Sequence, residues 1–403
     1  MVIMNTGTEK SSQLFSFLAP TKLLGGSNAL ANLCFELKEK NVSRPLVIMD
    51  EYAQRLGYFR EVKRAMQEDD IRIIGFCSGV TGVPADCDAA VKKFKQQDCD
   101  CILGLGGPEV VNVAKAVKLM IGQNANAFDM FRYAPVVKRV RYGGADVPLF
   151  LLPCGIPSGI EATTRVRIVD PETNLFYNFD SRRCCAAAVI LDKRLTDIMP
   201  AKALGAAGLN ALAMGILGFV DNAQNSIAQS YATSAIHAVM NTLVPAMRHN
   251  ADAEYRMDIY SAIIEAGVAY YNARGSIFRD IVTEVTMRTG ADLMLVTEIL
   301  FPHFYRTRMN EERIFKGVLM PIAGEDVYAS TNFNARDKVA LEHIVTFWDK
   351  VTELAELPTK LSQIGAVQSD FAAIAEAVIA RYRGDDADVS NFTYITELLE
   401  KAF

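Results

Sequence analysis

The sequence predicts an α/β domain followed by an all-helical domain. Up to about residue 193, short apolar runs alternate with helical patterns of about 10–15 residues, which is typical of a parallel sheet flanked by helices. From about Leu195 onward the pattern is almost entirely helical. We therefore place the two domains at residues 1–193 and 194–403.

The elements follow from hydrophobic periodicity and turn residues. In the first half, residues 45–50 read PLVIMD, an apolar run typical of a strand buried on both faces. The other predicted strands are 72–77, 101–105, 147–153 and 187–192, the predicted helices are 28–40, 51–68, 85–97 and 109–121, and residues 165–170 and 174–180 predict a hairpin on the sheet's edge. The helical patterns of the second half include 203–220, 226–244, 254–271 and 333–357, and residues 384–388 predict a solvated turn. Pro245 is expected to break or kink the helix that contains it.

Composition and charge exclude several classes of function. The chain has 403 residues, 50% of them hydrophobic and 22% charged, with a net charge of −5 and no cluster of five Lys or Arg residues. A general nucleic-acid grip needs a basic face, so no nucleic-acid partner is expected. No apolar run is expected to approach the ~20 residues that cross a bilayer, and the first residues lack the pattern of a signal peptide. We expect a cytoplasmic protein with no membrane partner and a small-molecule substrate.

Cysteine and histidine spacings give little support to a metal centre. None of the eight cysteines forms a CxxC pair, so we expect buried, reduced thiols. Of the four histidines, His237 and His249 are twelve residues apart, which on one straight helix is ~18 Å and too far to share an ion.

A glycine-rich turn follows the predicted strand 101–105. Gly104, Gly106 and Gly107 lead into a helix that begins near Pro108, a residue suited to the first helical position. Such a turn lets a pyrophosphate approach the helix N-terminus closely. Because the spacing is not GxGxxG, a tight strand-to-helix connection with no ligand is an equally open interpretation.

Two further polar segments follow predicted strands. Asp50 ends the strand 45–50, where a carboxylate accepts from a ribose hydroxyl and repels a 2′-phosphate, or else serves only as a helix N-cap. The turn CGIPSGIEAT, residues 154–163, offers Ser158, Gly159 and Thr163 to the same crevice, together with Gly155. Glu161 in this turn is as well explained by a structural hydrogen bond as by chemistry.

These segments resemble the iron-containing (group III) alcohol dehydrogenase family. The family's cofactor loop, GGGSxxDxAK, is similar to residues 106–115, GGPEVVNVAK, and its second loop, PTTAGTGSExT, is similar to residues 153–163. Residues 189–200 resemble the family's next strand and its LTxxxP segment. The resemblance implies the same two-domain architecture, which is also dehydroquinate synthase-like, and an NAD(P)-dependent reaction in the cleft between the domains. The cofactor-binding residues that it implies are Asp50, Gly106, Gly107, Pro108, Lys115, Ser158, Gly159 and Thr163.

The resemblance fails at the family's metal ligands, one Asp and three His. Asn210 and Met214 stand where the DALxH helix has Asp and His. Phe278 follows Gly275 where the second His is expected, with Val282 one turn on, and the third His falls near Thr289 or Asp292. We therefore expect no divalent metal. Asn210 and Arg279 are the predicted catalytic residues in its place, with Tyr270 and Tyr271 as alternatives.

Three functions remain open. The first is an oxidoreductase that acts on a small alcohol or aldehyde with NAD or NADP, NAD being favoured by Asp50. The second is a non-catalytic relative, favoured by Glu109 and Asn112, which replace the family's Ser and Asp in the cofactor loop. The third is a dehydroquinate-synthase-like lyase, which also relies on a metal. A homodimer is expected if the hairpin 165–180 extends the sheet of a second subunit.

Overall fold

A computed structural model describes residues 15–67, 71, 73–131, 138–139, 146–170, 172–173, 175–196, 199–221, 225–273, 276–308, 313–381 and 389–403. The predictions that concern Arg72, Pro171, Gly275 and the turn at 384–388 lie outside the described residues.

Strands occupy the first half of the described chain and helices dominate the second. The strands are β1 (Lys22–Gly26), β2 (Pro45–Met49), β3 (Gly75–Cys77), β4 (Cys101–Gly106), β5 (Lys138–Arg139), β6 (Leu149–Pro153), β7 (Arg165–Val169), β8 (Phe176–Asp180) and β9 (Ala188–Asp192). The helices of the first half are α1 (Leu33–Glu39), α2 (Glu51–Arg55), α3 (Tyr58–Ala65), α4 (Pro84–Gln96), α5 (Pro108–Gln123) and α6 (Ala127–Met130). Those of the second half are α7 (Ala201–Val220), α8 (Ser226–Arg248), α9 (Ala253–Tyr271), α10 (Ile277–Thr289), α11 (Leu293–Arg308), α12 (Leu319–Ala323), α13 (Glu325–Ser330), α14 (Arg336–Ala355), α15 (Phe371–Arg381) and α16 (Val389–Lys401).

The main sheet is parallel, as predicted. Its strand order is β1-β9-β6-β4-β2-β3, and every residue of β2, β4, β6 and β9 is buried. Strand β1 was missed because KLLGG is short, half exposed and rich in glycine, which gives no strand periodicity. The fold is therefore the predicted α/β half followed by a mostly helical half.

The predicted helix 51–68 is wrong as a single element. It is divided into α2 and α3 because Gly57 adopts a left-handed conformation with φ of 77°. Pro245 does not break its helix, since α8 continues to Arg248, and a kink there stays a prediction. Pro245 lies in the last turn, where it removes the one backbone N–H that would bond to the carbonyl four residues before it.

The hairpin β7–β8 does not lie on the edge of the main sheet. It forms a separate sheet with the order β5-β8-β7, so β8 is paired on both sides at the described positions. On the outer side of β7, the Arg167 N–H donates to Asn112 Oδ1 on α5, at 2.7 Å. The hairpin edges that we expected to join a second subunit are thus already bonded at these positions, and the homodimer stays a prediction.

The described chain forms two compact units. One contains residues 18–199 and 249–268, and the other contains residues 15–17, 200–248 and 269–403. The predicted division at residue 193 made each domain from one continuous segment, whereas residues 249–268, with most of α9, pack with the sheet. We call the first the sheet unit and the second the helical unit.

Helix α7 is the buried centre of the helical unit. It is long and apolar enough to cross a membrane by length and composition alone, with a mean hydropathy of 1.8, but 89% of that stretch is buried inside the protein. The expectation that no run approaches this length was wrong. In α7, glycines, alanines and Asn210 interrupt the large apolar side chains, so the sequence does not read as one continuous apolar run. A side chain at Gly208 would overlap Leu243, and one at Gly218 would lie 2.9 Å from the Ala269 Cβ atom. These glycines let the neighbouring helices approach α7, as in the core of a globular protein.

Glu298 on α11 is a buried acid in the helical unit. The residue is 2% exposed, and neither of its carboxylate oxygens has a hydrogen-bond partner within the described residues. Burial raises the pKa of Glu298 to about 8, although the positive charge of Lys202 acts in the opposite direction. Trp348, the chain's one tryptophan, donates from Nε1 to the Glu298 carbonyl at 3.2 Å and thus reports on this region.

We expect the helical unit to lose stability as the pH rises from about 4.5 to about 8. In this window the folded Glu298 holds a proton that the unfolded chain has released, so each pH unit costs up to about 1.4 kcal/mol. The variant Glu298→Gln stays neutral at every pH, so its stability should not show this decrease with rising pH. Urea unfolding followed by Trp348 fluorescence, at several pH values for both proteins, checks it. Parallel stability curves for the parent and the variant would contradict the assignment.

Candidate functional site

The glycine turn connects the buried strand β4 to the N-terminus of α5. Pro108 is the first residue of the helix, as predicted, and Gly107 is its N-cap. A side chain at Gly106 would bring a Cβ atom within 2.6 Å of Asp50 Oδ2 and 2.5 Å of Val110 Cγ2. Glycine is therefore required at residue 106 by close packing between the strand, the helix and Asp50.

Asp50 joins the ends of two neighbouring strands. Its Oδ1 atom accepts from the Ala53 N–H at 2.7 Å, which makes it the N-cap of α2, and its Oδ2 atom accepts from the Gly107 N–H at 2.9 Å. The N-cap interpretation is thus confirmed. A carboxylate has about four acceptor positions, so room for a ribose hydroxyl remains, and that role stays a prediction.

Lys115 is fully buried on α5 and holds the second loop. Its ammonium donates to the carbonyl oxygens of Ile160, Thr163 and Arg165, at 2.5, 2.8 and 2.8 Å. An ammonium has three donors, and all three are used here. Burial lowers the pKa of Lys115, and the nearby Glu161 carboxylate acts against that. The contacts that the structure shows are with the loop's backbone, which the sequence did not indicate.

The second loop satisfies most of its own polar side chains. Glu161 is fully buried, and its Oε1 atom accepts from Ser158 N and Ser158 Oγ at 2.8 and 3.0 Å. The Thr163 hydroxyl donates to the Ile160 carbonyl at 2.8 Å. Glu161 therefore makes the hydrogen bonds that its structural interpretation expects, while its Oε2 atom is buried with no hydrogen-bond partner among the described residues. Ser158 and Thr163 contribute to the loop's shape.

Helix α9 packs on this loop through a contact between two glycines. Gly159 has φ of 85°, and a side chain at Gly267 would overlap the Gly159 carbonyl group. Sequence reasoning missed this contact, although a lone glycine within a helical pattern is a signal for close packing. Residues 249–268 are thus fixed to the sheet unit at the candidate cofactor site.

Asn112, one of the departures in the cofactor loop, has a structural role. Its Nδ2 atom donates to the Pro108 carbonyl at 3.0 Å, while its Oδ1 atom accepts from the Arg167 N–H. One amide thus bridges the first turn of α5 and strand β7. An aspartate has no donor for the first bond, so the amide is suited to this position.

The predicted catalytic residues lie in the helical unit. Asn210 is buried in the middle of α7, with 5% exposure. The Arg279 guanidinium lies 6.0 Å from the centre of the Tyr270 ring, so the structure brings these two candidates together. Burial raises the pKa of Tyr270 well above its usual value, which the positive charge of Arg279 opposes, and Tyr270 is therefore a neutral donor at pH 7.

Phe278 belongs to an aromatic cluster. Its ring centre is 5.7 Å from that of Phe301 and 4.7 Å from that of Phe304, and the residue is 2% exposed. Met214 is also buried, on α7. Both positions are therefore parts of the apolar core of the helical unit.

Comparison with known proteins identifies the family. Residues 20–193 match the pattern of "Iron-containing alcohol dehydrogenase", and residues 205–403 match that of "Fe-containing alcohol dehydrogenase family, C-terminal". The chain belongs to the iron-containing alcohol dehydrogenase family.

Relatives within this family cover nearly the whole chain at low identity. The chain is 21% identical to the NAD-dependent methanol dehydrogenase of Bacillus methanolicus over 90% of its own length and 92% of that protein's. It is also 21% identical to alcohol dehydrogenase 4 of Saccharomyces cerevisiae, over 91% and 92%. The crystal structure of a 1,3-propanediol oxidoreductase matches with a TM-score of 0.85 at 17% identity, over 97% of this chain and 100% of that one, which supports the fold.

The positions that the resemblance aligns with the family's metal ligands carry Asn210, Met214 and Phe278, with Thr289 or Asp292 near the third His. Thr289 donates through its hydroxyl to the Val285 carbonyl, and Asp292 Oδ1 accepts from the Met294 N–H at an exposed helix start. Among the residues that the structure describes, no three His, Cys, Asp or Glu side chains are grouped to hold an ion. An amide, a thioether and a phenyl ring are poor donors for Zn²⁺ or Fe²⁺.

We expect Lys115→Met to loosen the second loop. Three buried carbonyl groups lose a charged donor, and each unsatisfied group costs about 1–3 kcal/mol. Hydrogen exchange at residues 158–165 should accelerate at least tenfold, and urea unfolding of the sheet unit should shift to lower concentration.

Lys118→Met is the matched control for this substitution. Lys118 is also buried on α5, one turn further on, and its ammonium donates to the Cys185 carbonyl at 3.0 Å and pairs with Asp146. If the control accelerates exchange at 158–165 as much as Lys115→Met does, the specific role of Lys115 is wrong.

Proposed function

We propose that the chain is an NAD-dependent oxidoreductase that acts on a small alcohol or aldehyde without the family's divalent metal. The observation that carries the proposal is the glycine turn at the carboxyl end of a buried parallel strand, directly before the N-terminus of α5. Ligand phosphates favour such a position, because backbone N–H groups and the helix dipole converge there. Membership of an alcohol dehydrogenase family supports the reaction class.

The proposed cofactor site consists of the glycine turn, Asp50 and the second loop. The Asp50 carboxylate adjoins Gly107, so a ribose next to the pyrophosphate would meet it. That position favours NAD, since a 2′-phosphate would face a negative charge. The name of the Bacillus methanolicus relative, an NAD-dependent enzyme, agrees with this preference.

The side chains at the positions of the family's metal ligands support the metal-free part of the proposal, because an amide, a thioether and a phenyl ring are poor metal ligands. When bound, NAD accepts a hydride from the carbon that bears the alcohol, and the alcohol's proton must leave at the same time. With no Lewis acid, a fixed donor has to stabilise the oxygen's negative charge. Arg279 is the stronger candidate, because its guanidinium stays protonated and lies beside Tyr270. Asn210 is the second candidate, as a neutral amide donor.

A non-catalytic relative that keeps the fold is the alternative proposal. It is favoured by the internal use of polar groups in both loops, where Lys115, Ser158, Thr163 and Asn112 each bond to the protein itself. A cytoplasmic location and a homodimer remain predictions from the sequence.

One experiment distinguishes the two proposals. Protein treated with a chelator is titrated with NADH and NADPH by fluorescence, and then assayed for NADH oxidation with short-chain aldehydes. We expect NADH to bind and to be oxidised at a rate that added Zn²⁺ or Fe²⁺ leaves unchanged. Activity that appears only with added metal contradicts the metal-free reaction, and no binding of either nucleotide favours the non-catalytic alternative.

We expect Asp50→Asn to narrow the preference for NAD. Asparagine is also a good N-cap, so α2 should persist, while the charge that repels a 2′-phosphate is lost. The ratio of the NADPH and NADH dissociation constants should fall about tenfold, which corresponds to about 1.4 kcal/mol. An unchanged ratio, with the fold intact by circular dichroism, would contradict the placement of the ribose.

A further inference from the structure

Two carboxylates converge on the space that Gly107 leaves open. From the point where a Cβ atom on Gly107 would stand, Glu109 Oε2 is 3.5 Å away and Asp50 Oδ2 is 3.6 Å away. A glycine in such a turn normally makes room for a ligand's phosphate. Here anionic oxygens of the chain itself line that room.

Packing on a second glycine holds the Glu109 side chain in this direction. Gly82 has φ of 92°, and a Cβ atom there would lie 3.2 Å from both Cβ and Cγ of Glu109. The backbone at Gly82 therefore lies close against the stem of Glu109. The carboxylate beyond that stem reaches back over Gly107.

The charge of Glu109 acts against a pyrophosphate at this place. A helix N-terminus attracts anions, but Glu109 already puts a carboxylate in the first turn of α5. Pro108 has no N–H to offer, and the Gly107 N–H donates to Asp50. The family's loop, as the motif comparison indicates, has a neutral serine where this chain has Glu109.

We propose that Glu109 is an affinity-determining residue for the cofactor, which weakens binding of the pyrophosphate shared by NAD and NADP. The proposal rests on the proposed cofactor-binding function and deepens it. Because both cofactors carry the pyrophosphate, Glu109 affects both equally. It thereby differs from Asp50, whose charge separates NAD from NADP.

The test measures NADH and NADPH binding to the full chain and to Glu109→Gln and Glu109→Ser. Glu109 is exposed in the first turn of a long helix, so neither substitution should prevent folding. Glu51→Gln is the matched control, since Glu51 is exposed in the first turn of α2, next to Asp50, and its replacement changes the net charge equally.

Both Glu109 variants should bind NADH and NADPH about five- to tenfold more tightly than the parent, with the ratio of the two affinities unchanged. The gain should shrink at high salt, since the screening length falls from about 30 Å at 0.01 M to about 3 Å at 1 M. Glu51→Gln should change affinity less than twofold.

The outcomes separate this inference from the proposed function. If the parent and the Glu109 variants bind both nucleotides equally well, the inference is wrong and the cofactor site stands. The same holds if Glu51→Gln gives an equal gain, because net charge would then explain the effect. If no protein binds either nucleotide, the proposed function and the inference both fail.

Discussion

The sheet unit depends on one buried ammonium group. Lys115 ties to α5 two carbonyls of the second loop and the carbonyl of Arg165, the first residue of β7, at a place where no water reaches the side chain. Burying a lysine is costly unless its donors are all bonded, so the loop and the helix specify each other's positions. The glycine turn, the second loop and helix α9 are then connected through close packing at glycines. Gly106 fits the strand to the helix, and Gly159 fits the loop to α9.

The polar residues of the candidate site therefore have a structural role as well as the proposed role in cofactor binding. Asp50, Asn112 and Thr163 each make a bond that shapes the protein, and a cofactor would add to those bonds rather than replace an empty surface. A preformed loop loses little conformational entropy when a ligand binds. The same internal bonding would keep the loops in place in a relative without catalysis.

Sequence patterns predicted the parallel sheet well because its central strands are continuous apolar runs, such as residues 45–49. The glycine turn and Pro108 were also predicted, since both residues have strong local preferences. The hydrogen bonds of Lys115 were not predicted, because the carbonyl groups that accept them lie 45–50 residues further along the chain and local spacing does not reveal them. The break at Gly57 and the separate hairpin sheet were missed for related reasons. One depends on a single backbone conformation, and the other on strand pairing that local periodicity does not reveal.

The contact between Gly159 and Gly267 has a consequence for the order in which the protein is made. The sheet unit contains its last strand by Asp192, yet the helix that covers its second loop arrives only with residues 249–268. On the ribosome, synthesis proceeds at about 5–20 residues per second, so the loop waits for its cover while α7 and α8 are made. A fragment that ends near Met199 has every strand of the sheet unit but leaves the Gly159 backbone without its packing partner. The sheet unit is thus completed only after α7 and α8 of the helical unit have been synthesised.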